Sequence, residues 1–397
     1  MDLYLLDWIN FLLRWAHVIV AIAWIGSSFY FVFLDSSLVE PTDAALREKG
    51  VGGELWAVHG GGFYNPQKYL GAPRQMPQHL HWFYWESYST FLTGFALFTA
   101  IYLFQANTFL IDPRVHAWTA APAIACALAF LVVFWLAYDA ICRVLDNGSQ
   151  AVVGMLVAAL VIFASWLACS LFAGRAAFLL VGAMMAASMS ANVFFWIIPG
   201  QRKVIAQMKA GEPVDPAHGR RAKQRSVHNT YFTLPVLAAM LSNHYAFLHG
   251  ASGNWLVLVI VMAAGALIRH SFVARHRALV LGRRVPWEYA AFGCVLLVAL
   301  GVWQAPAPVA PVAATAAAPT FAQVQGIVKG RCSLCHNAQL ANKGIRLDAP
   351  DMILANAPQM YQQAVVLKAM PLNNATQITE AERNVLKRWY EAGAHPD

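Results

Sequence analysis

Charge is scarce in this chain of 397 residues. Only 12% of its residues are Asp, Glu, Lys or Arg, and 59% are hydrophobic, whereas soluble domains carry about 25% charged residues. The net charge of +8 could suggest a nucleic-acid partner, but the basic residues lie in short segments between long apolar runs. We therefore predict a protein of the lipid bilayer that binds no nucleic acid.

Three further patterns are missing. No disulfide framework is visible, because four of the six cysteines lie inside apolar runs, as inert core thiols do; they are Cys126, Cys142, Cys169 and Cys294. No G-x-S-x-G occurs, so the segment His59-Gly60-Gly61-Gly62 does not indicate a hydrolase, although it resembles the oxyanion segment of lipases. The first apolar run lacks a small-residue cleavage pattern, so we expect a retained helix and no cleaved signal peptide.

Eight apolar runs are long enough to cross a bilayer, which takes roughly 20 residues. They lie at about 11–34, 85–106, 121–142, 151–172, 176–198, 229–247, 254–273 and 287–303. The segments 35–84, 143–150, 201–228 and 274–286 hold four, one, seven and four Lys or Arg residues, against zero, one, one and zero on the opposite side. By the positive-inside rule the first set is cytoplasmic. The prediction is an all-α fold: a polytopic transmembrane helix bundle of the bacterial inner membrane, with both termini periplasmic.

The C-terminal tail carries the most specific motif, Cys332-Ser-Leu-Cys335-His336. C-x-x-C-H is the signature of c-type haem, with both cysteines as thioethers and the histidine as an iron ligand. Met370 is 34 residues downstream of His336 and is the candidate sixth ligand. A structural C-x-x-C or a zinc half-site is the alternative, but the tail lacks a second Cys/His pair. We predict one covalent haem c in a small all-α, class I-like cytochrome c domain.

The predicted organisation is a membrane domain at 1–303, an Ala/Pro-rich linker at 304–320 and the periplasmic haem domain at 321–397. Two local patterns add detail. Residues 54–69 alternate apolar and polar residues around three glycines, which predicts a small β-hairpin in the loop 35–84. Thr379 and Glu382 form a capping box that opens a last helix. We expect this helix to pack on the first helix of the tail through Leu386, Trp389 and Tyr390 against Phe321, Val324 and Ile327.

Histidines in spans are costly and usually functional. The topology divides them into an outer layer, His17 with His244, and an inner layer of His81, His228 and His270. The outer pair are candidate ligands of a b-type haem. Arg14 lies one turn before His17 and is a candidate partner for a haem propionate or an anionic substrate. The alternative for each histidine is an ordinary hydrogen-bonded or interfacial side chain.

Four long segments carry a resemblance to a known family. They are RWAHVIVAIAWIGSSFYF (14–31), ELWAVHGGGFYNPQKY (54–69), HWFYWESYSTFLTGFALF (81–98) and HNTYFTLPVLAAMLSNHY (228–245). With the haem tail, the chain resembles the bacterial membrane-bound urate oxidases, which are cytochrome c-linked urate dehydrogenases. The resemblance implies oxidation of urate to 5-hydroxyisourate in purine catabolism. It also implies that electrons pass to haem c and on to a soluble or membrane cytochrome or a terminal oxidase.

The resemblance supplies no catalytic residues, so the candidates come from the two layers. Urate is a planar anion whose binding needs Arg or amide donors and an aromatic face, and whose oxidation needs a proton acceptor. We assign the inner layer to substrate, with His81, Glu86, His228 and Asn229 as candidate catalytic residues. The outer layer, with Arg14, His17 and His244, is assigned to a cofactor. A substrate and a haem c on opposite faces would require a redox centre between them.

Two alternatives stay open. One is a quinol-oxidising membrane cytochrome, with quinol entering from lipid beside Glu86. The other is a membrane-anchored electron-transfer protein that has no substrate site of its own. The sequence leaves the oligomeric state open.

Overall fold

Long helices make up most of the computed structural model, which describes residues 3–251, 253–305, 319–341 and 344–396. The long helices of the N-terminal part are α1 (Leu3–Ser37), α3 (Trp85–Phe98), α5 (Ala120–Val144), α6 (Gln150–Leu171), α7 (Gly174–Asn192), α8 (Ile198–Ala210), α9 (Pro216–Leu241), α11 (Asn254–Val280) and α12 (Glu288–Trp303). Short helices lie between them: α2 (Ala44–Glu48), α4 (Ala106–Phe109) and α10 (Ala246–His249).

Every predicted span overlaps a helix, but the helices differ in length and apolar character. Within the described residues, five stretches are long and apolar enough, namely Asp7–Ser37, Ala120–Val144, Gln150–Leu171, Gly174–Ala210 and Asn254–Val280. The apolar helix α12 is shorter. The helix α3 has 14 residues and continues as a π-helix over Thr99–Leu103. The first half of α9 is polar.

The helix α7 lies at the centre of the bundle, where most of its side chains are buried. It packs on α5, α6 and α9. The contact with α9 is close at Gly182, where an added Cβ would lie 2.9 Å from the Cβ of Ala239. The helix α1 packs at the edge, against α3 and α11.

The glycine-centred hairpin is present in the loop between α1 and α3. Strand β2 (Ala57–His59) pairs antiparallel with β3 (Gly62–Tyr64). Gly60 and Gly61 form the turn with φ of +59° and +79°, as a two-residue turn of positive φ requires. A second pair, β1 (Val51–Glu54) and β4 (Gln67–Tyr69), extends the hairpin.

The tail folds into a helical unit with its own core. Its helices are α13 (Phe321–Arg331), α14 (Pro350–Ala355), α15 (Ala357–Met360) and α16 (Glu380–Glu391). The capping box of Thr379 and Glu382 is formed, and α16 packs on α13, where the rings of Phe321 and Trp389 lie 5.9 Å apart. Residues 306–318, which make up most of the predicted linker, lie outside the described residues.

Candidate functional site

The two ends of the bundle differ in charge and are named here for what they carry. The basic face carries the segments 35–84, 143–150, 201–228 and 274–286. The tail face carries α4, residues 110–119 and α10.

A buried ion cluster lies at the basic face, where α5, α7 and α9 meet. Asp139 on α5 accepts hydrogen bonds from the Arg225 Nη2 at 2.7 Å, the Trp196 Nε1 at 2.7 Å and the Arg143 Nε at 2.5 Å. The side chains of Arg225 and Asp139 are only 2% and 6% exposed. Because buried charges are costly unless they are paired, this ion pair fixes α9 against α5.

A chain of neutral hydrogen bonds continues from this cluster. The Tyr138 hydroxyl lies 2.9 Å from the His228 Nδ1. Asn192 donates to the Tyr138 hydroxyl and to the Asn229 Oδ1, and Asn229 donates to the Met189 carbonyl. Arg225, His228 and Asn229 share one face of α9 because they are spaced three and four residues apart. The predicted inner residues His228 and Asn229 therefore belong to one network.

A cavity of about 250 Å³ opens beside Arg225. It is lined by three arginines, an indole, an amide, a thiol and a carboxylate: Arg143, Arg221, Arg225, Trp196, Gln224, Cys142 and Asp146. The guanidinium carbon atoms of Arg143 and Arg225 lie 4.9 and 5.0 Å from the Trp196 ring centroid. Partial burial acts to raise the pKa of Asp146, but hydrogen bonds from Arg221 and Arg220 outweigh it and lower that pKa. The cavity thus combines net positive charge with an aromatic wall.

The other two inner candidates lie elsewhere. His81 is exposed before α3 and packs edge-on against Phe83. Glu86 is in the first turn of α3, and α3 joins the bundle through the hydrogen bond between Ser87 and Ser190 on α7. Since α7 lies between α3 and α9, the grouping of His81 and Glu86 with His228 and Asn229 is not reproduced in the structure.

His270, the third inner histidine, belongs to a separate cluster on α9, α11 and α12. Its Nδ1 lies 2.7 Å from the Tyr231 hydroxyl, and its ring packs on Tyr289. The neighbouring Arg269 is buried, and its guanidinium carbon lies 3.6 Å from the Phe29 ring centroid.

The outer candidates are also separated. Because α1 begins at Leu3, the fourteen residues before His17 place it roughly 20 Å along the helix. The His17 Nδ1 lies 3.0 Å from the Thr93 hydroxyl, and its ring packs against Gly94. His244 is exposed, and no contact between the two histidines occurs among the described residues. The pair is not brought together in the structure.

The polar residues near the two outer histidines form hydrogen bonds with other side chains of the bundle. The Arg14 Nε donates to the Asn10 Oδ1 at an exposed position on α1. Asn243, beside His244, accepts hydrogen bonds from Tyr102 and Arg175. The amide of Asn243 therefore faces the bundle at the tail face.

In the tail, the His336 Nδ1 lies 3.1 Å from the Ile345 carbonyl oxygen. This bond holds a proton on Nδ1 and leaves Nε2 free, as an iron-ligating imidazole needs. Cys332 and Cys335 are free thiols, and the backbone of Met370 is held by Gln363 and Arg383. The described residues hold no cluster of three or more His, Cys, Asp or Glu side chains, so the zinc alternative has no further ligands there.

The segment that carries Met370 contacts the N-terminal helix bundle. The Asn373 amide donates to the Thr108 carbonyl of α4 at 2.7 Å. The candidate iron ligand is thus three residues from a contact at the tail face.

Sequence reasoning missed much of the network at the basic face. Arg225 counted only as one of the seven basic residues of the segment 201–228. The available signal was the spacing of Arg225, His228 and Asn229 on one helical face.

Comparison with known proteins identifies the family of the N-terminal part. No curated protein and no solved structure matches the chain. A family model described as urate oxidase N-terminal matches residues 3–305. Because the match covers most of the 397 residues, the chain belongs to the urate oxidase N-terminal family.

Proposed function

We propose that this protein is a membrane-bound urate oxidase that passes electrons from urate to haem c in its own tail. The observation that carries the proposal is the family match over residues 3–305, in a chain that continues into a C-x-x-C-H motif. The family is named for urate oxidation, which indicates urate as the substrate. The C-x-x-C-H motif indicates haem c as the electron acceptor.

The proposed reaction converts urate and water to 5-hydroxyisourate, two protons and two electrons. A new C–O bond forms at C5 of the purine, and the two electrons leave one at a time because a single haem iron accepts one. His228 and Asn229 are the predicted catalytic residues retained for this chemistry, since they share the buried network with Tyr138 and Asn192.

The residues of the tail fit haem c. Cys332 and Cys335 would form the thioethers, while His336 and Met370 would ligate the iron. The hydrogen bond from His336 to Ile345 favours the required tautomer. When bound, this group supplies a one-electron acceptor.

The proposal includes the topology predicted from the loops: eight spans in the bacterial inner membrane and a periplasmic tail. The five long apolar helices support membrane association. A soluble cytochrome, a membrane cytochrome or a terminal oxidase would then take the electrons from the tail.

The test mixes purified, oxidised protein with urate in the absence of oxygen and follows the α-band of haem c. We expect two equivalents of haem reduced per urate consumed. A quinol serves as the control donor, and the Cys332→Ser/Cys335→Ser variant controls for haem c. Reduction by quinol but not by urate, from mildly acidic to alkaline pH, would refute the proposal in favour of a quinol-oxidising cytochrome.

A further inference from the structure

We infer that the cavity beside Arg225 at the basic face binds the purine substrate as its anion. This inference rests on the proposed function, because the family supplies the identity of the purine. None of the residues that line this cavity was predicted from the sequence to bind the substrate.

Charge is the first argument. Three arginines line the cavity, and the carboxylates of Asp139 and Asp146 are the acidic groups bonded to them. Three positive charges thus face two negative ones at the cavity, and Arg220, which shares Asp146 without lining the cavity, adds to the positive excess. A monoanion such as urate would reduce this excess.

Unused hydrogen-bond donors are the second argument. The Arg225 Nη2 is bonded to Asp139, but the buried Nε and Nη1 atoms have no partner among the described residues. Buried donors without partners cost free energy and are rare in native proteins. A guanidinium with donors to spare is suited to an anion that carries several acceptors, such as the ring nitrogens and carbonyl oxygens of a purine.

Size and surface are the third argument. At about 250 Å³ the cavity lies just below the range of drug-sized ligand pockets, which begins at about 300 Å³. It suits a single bicyclic ring better than a nucleotide. Trp196 offers a flat apolar wall, and Gln224 offers an amide that can donate and accept.

The hydrogen-bonded network adjoins this cavity. The Cys142 sulfur lines the cavity and lies 3.8 Å from the His228 Nδ1. His228 is therefore one side chain from the proposed substrate and is placed to receive a proton relayed from it.

The test is equilibrium dialysis of radiolabelled urate against the full-length protein, oxygen-free, with adenine as the uncharged comparison. Three variants change the cavity: Arg225→Gln, Arg221→Gln and Gln224→Leu. We expect a Kd about ten- to a hundredfold higher for Arg225→Gln, as for a lost hydrogen bond to a charged group. Arg220→Gln is the matched control, because Arg220 also bonds Asp146 but does not line the cavity. If Arg225→Gln fails to fold, the other two variants decide.

Two failures are distinguishable. If the wild-type protein binds urate and all three variants bind it equally well, the cavity is not the substrate site and the oxidase assignment stands. If the wild-type protein neither binds urate nor is reduced by it, both the cavity ligand and the proposed function are wrong. Equal affinity for adenine and urate would also overturn the anion site.

Discussion

Asp139 is the residue on which the buried ion cluster depends. It bonds Arg225, Arg143 and Trp196 at once. Removing one partner of a buried ion pair leaves an uncompensated charge, whereas exposed pairs contribute little. The two arginines bonded to Asp139 differ sharply in exposure, at 2% for Arg225 and 60% for Arg143.

We therefore predict that Asp139→Ala destabilises the protein by about 3–5 kcal/mol, because Arg225 loses its buried counterion. Arg143→Gln is the control and should cost less than about 1 kcal/mol. Thermal unfolding in detergent measures both. Equal melting temperatures for the two variants would contradict the structural role given to Asp139.

A substitution at His228 tests proton transfer separately from substrate binding. It does not line the cavity but lies behind Cys142 and bonds Tyr138. We predict that His228→Gln slows the reduction of haem c by urate about 100-fold or more, as for loss of a general base, with the Kd for urate unchanged. Stopped-flow reduction and dialysis provide the two values. A Kd that rises as much as the rate falls would show that His228 binds substrate instead.

At the scale of elements, the packing of the tail depends on how its last helix begins. Thr379 caps α16, and its partner Glu382 also bonds Arg331 on α13. The cap and the ion pair thus hold the first and last helices of the tail together.

Thr379→Ala should destabilise the tail by about 1 kcal/mol, the usual cost of a lost N-cap. Denaturant titration of the full chain, followed by the haem c spectrum, reports the unfolding of the tail. Gln359→Ala on the exposed side of α15 is the control and should leave the midpoint unchanged. No difference between the two variants would mean that the cap is dispensable.

At the scale of the whole molecule, the cavity and the tail lie at opposite ends of α5. The cavity includes Cys142 and Arg143 near the end of the helix. The helix α4, which contacts the tail, packs on α5 and is joined to its start by residues 110–119. With about 1.5 Å per residue, the two sites are roughly 30 Å apart. Electrons cannot pass between them by contact.

This separation leads us to predict a second redox group, a b-type haem in the membrane domain. A pyridine haemochrome assay of the purified protein should give both b- and c-type bands. A spectrum with c-type haem only would refute the prediction and require another route.

The tail contact gives a further prediction. Asn373→Ala removes the hydrogen bond to the Thr108 carbonyl, which is worth about 0.5–1.5 kcal/mol. We expect electron transfer into haem c to slow by about two- to tenfold while its reduction potential stays the same. Rapid-mixing kinetics and a redox titration provide the two measurements. A changed potential would mean that the substitution disturbs the haem site instead of the docking.

The sequence determined what short-range chemistry controls. Long apolar runs predicted helices, three glycines predicted a hairpin turn, and the Thr379–Glu382 spacing predicted a helix start; each of these features is formed in the structure. Such features depend on residues close together in the chain, so the pattern alone is enough to predict them.

Only the tertiary structure decided which polar side chains meet. The predicted inner layer grouped His81 and Glu86 with His228 by their depth along the helices. Depth does not show which helices are neighbours, and in the structure α7 lies between α3 and α9. Arg225 and Asp139 are 86 residues apart and meet because α9 packs beside α5. The cavity forms where these helices meet, since its lining residues come from three separate segments of the chain, at 142–146, 196 and 221–225.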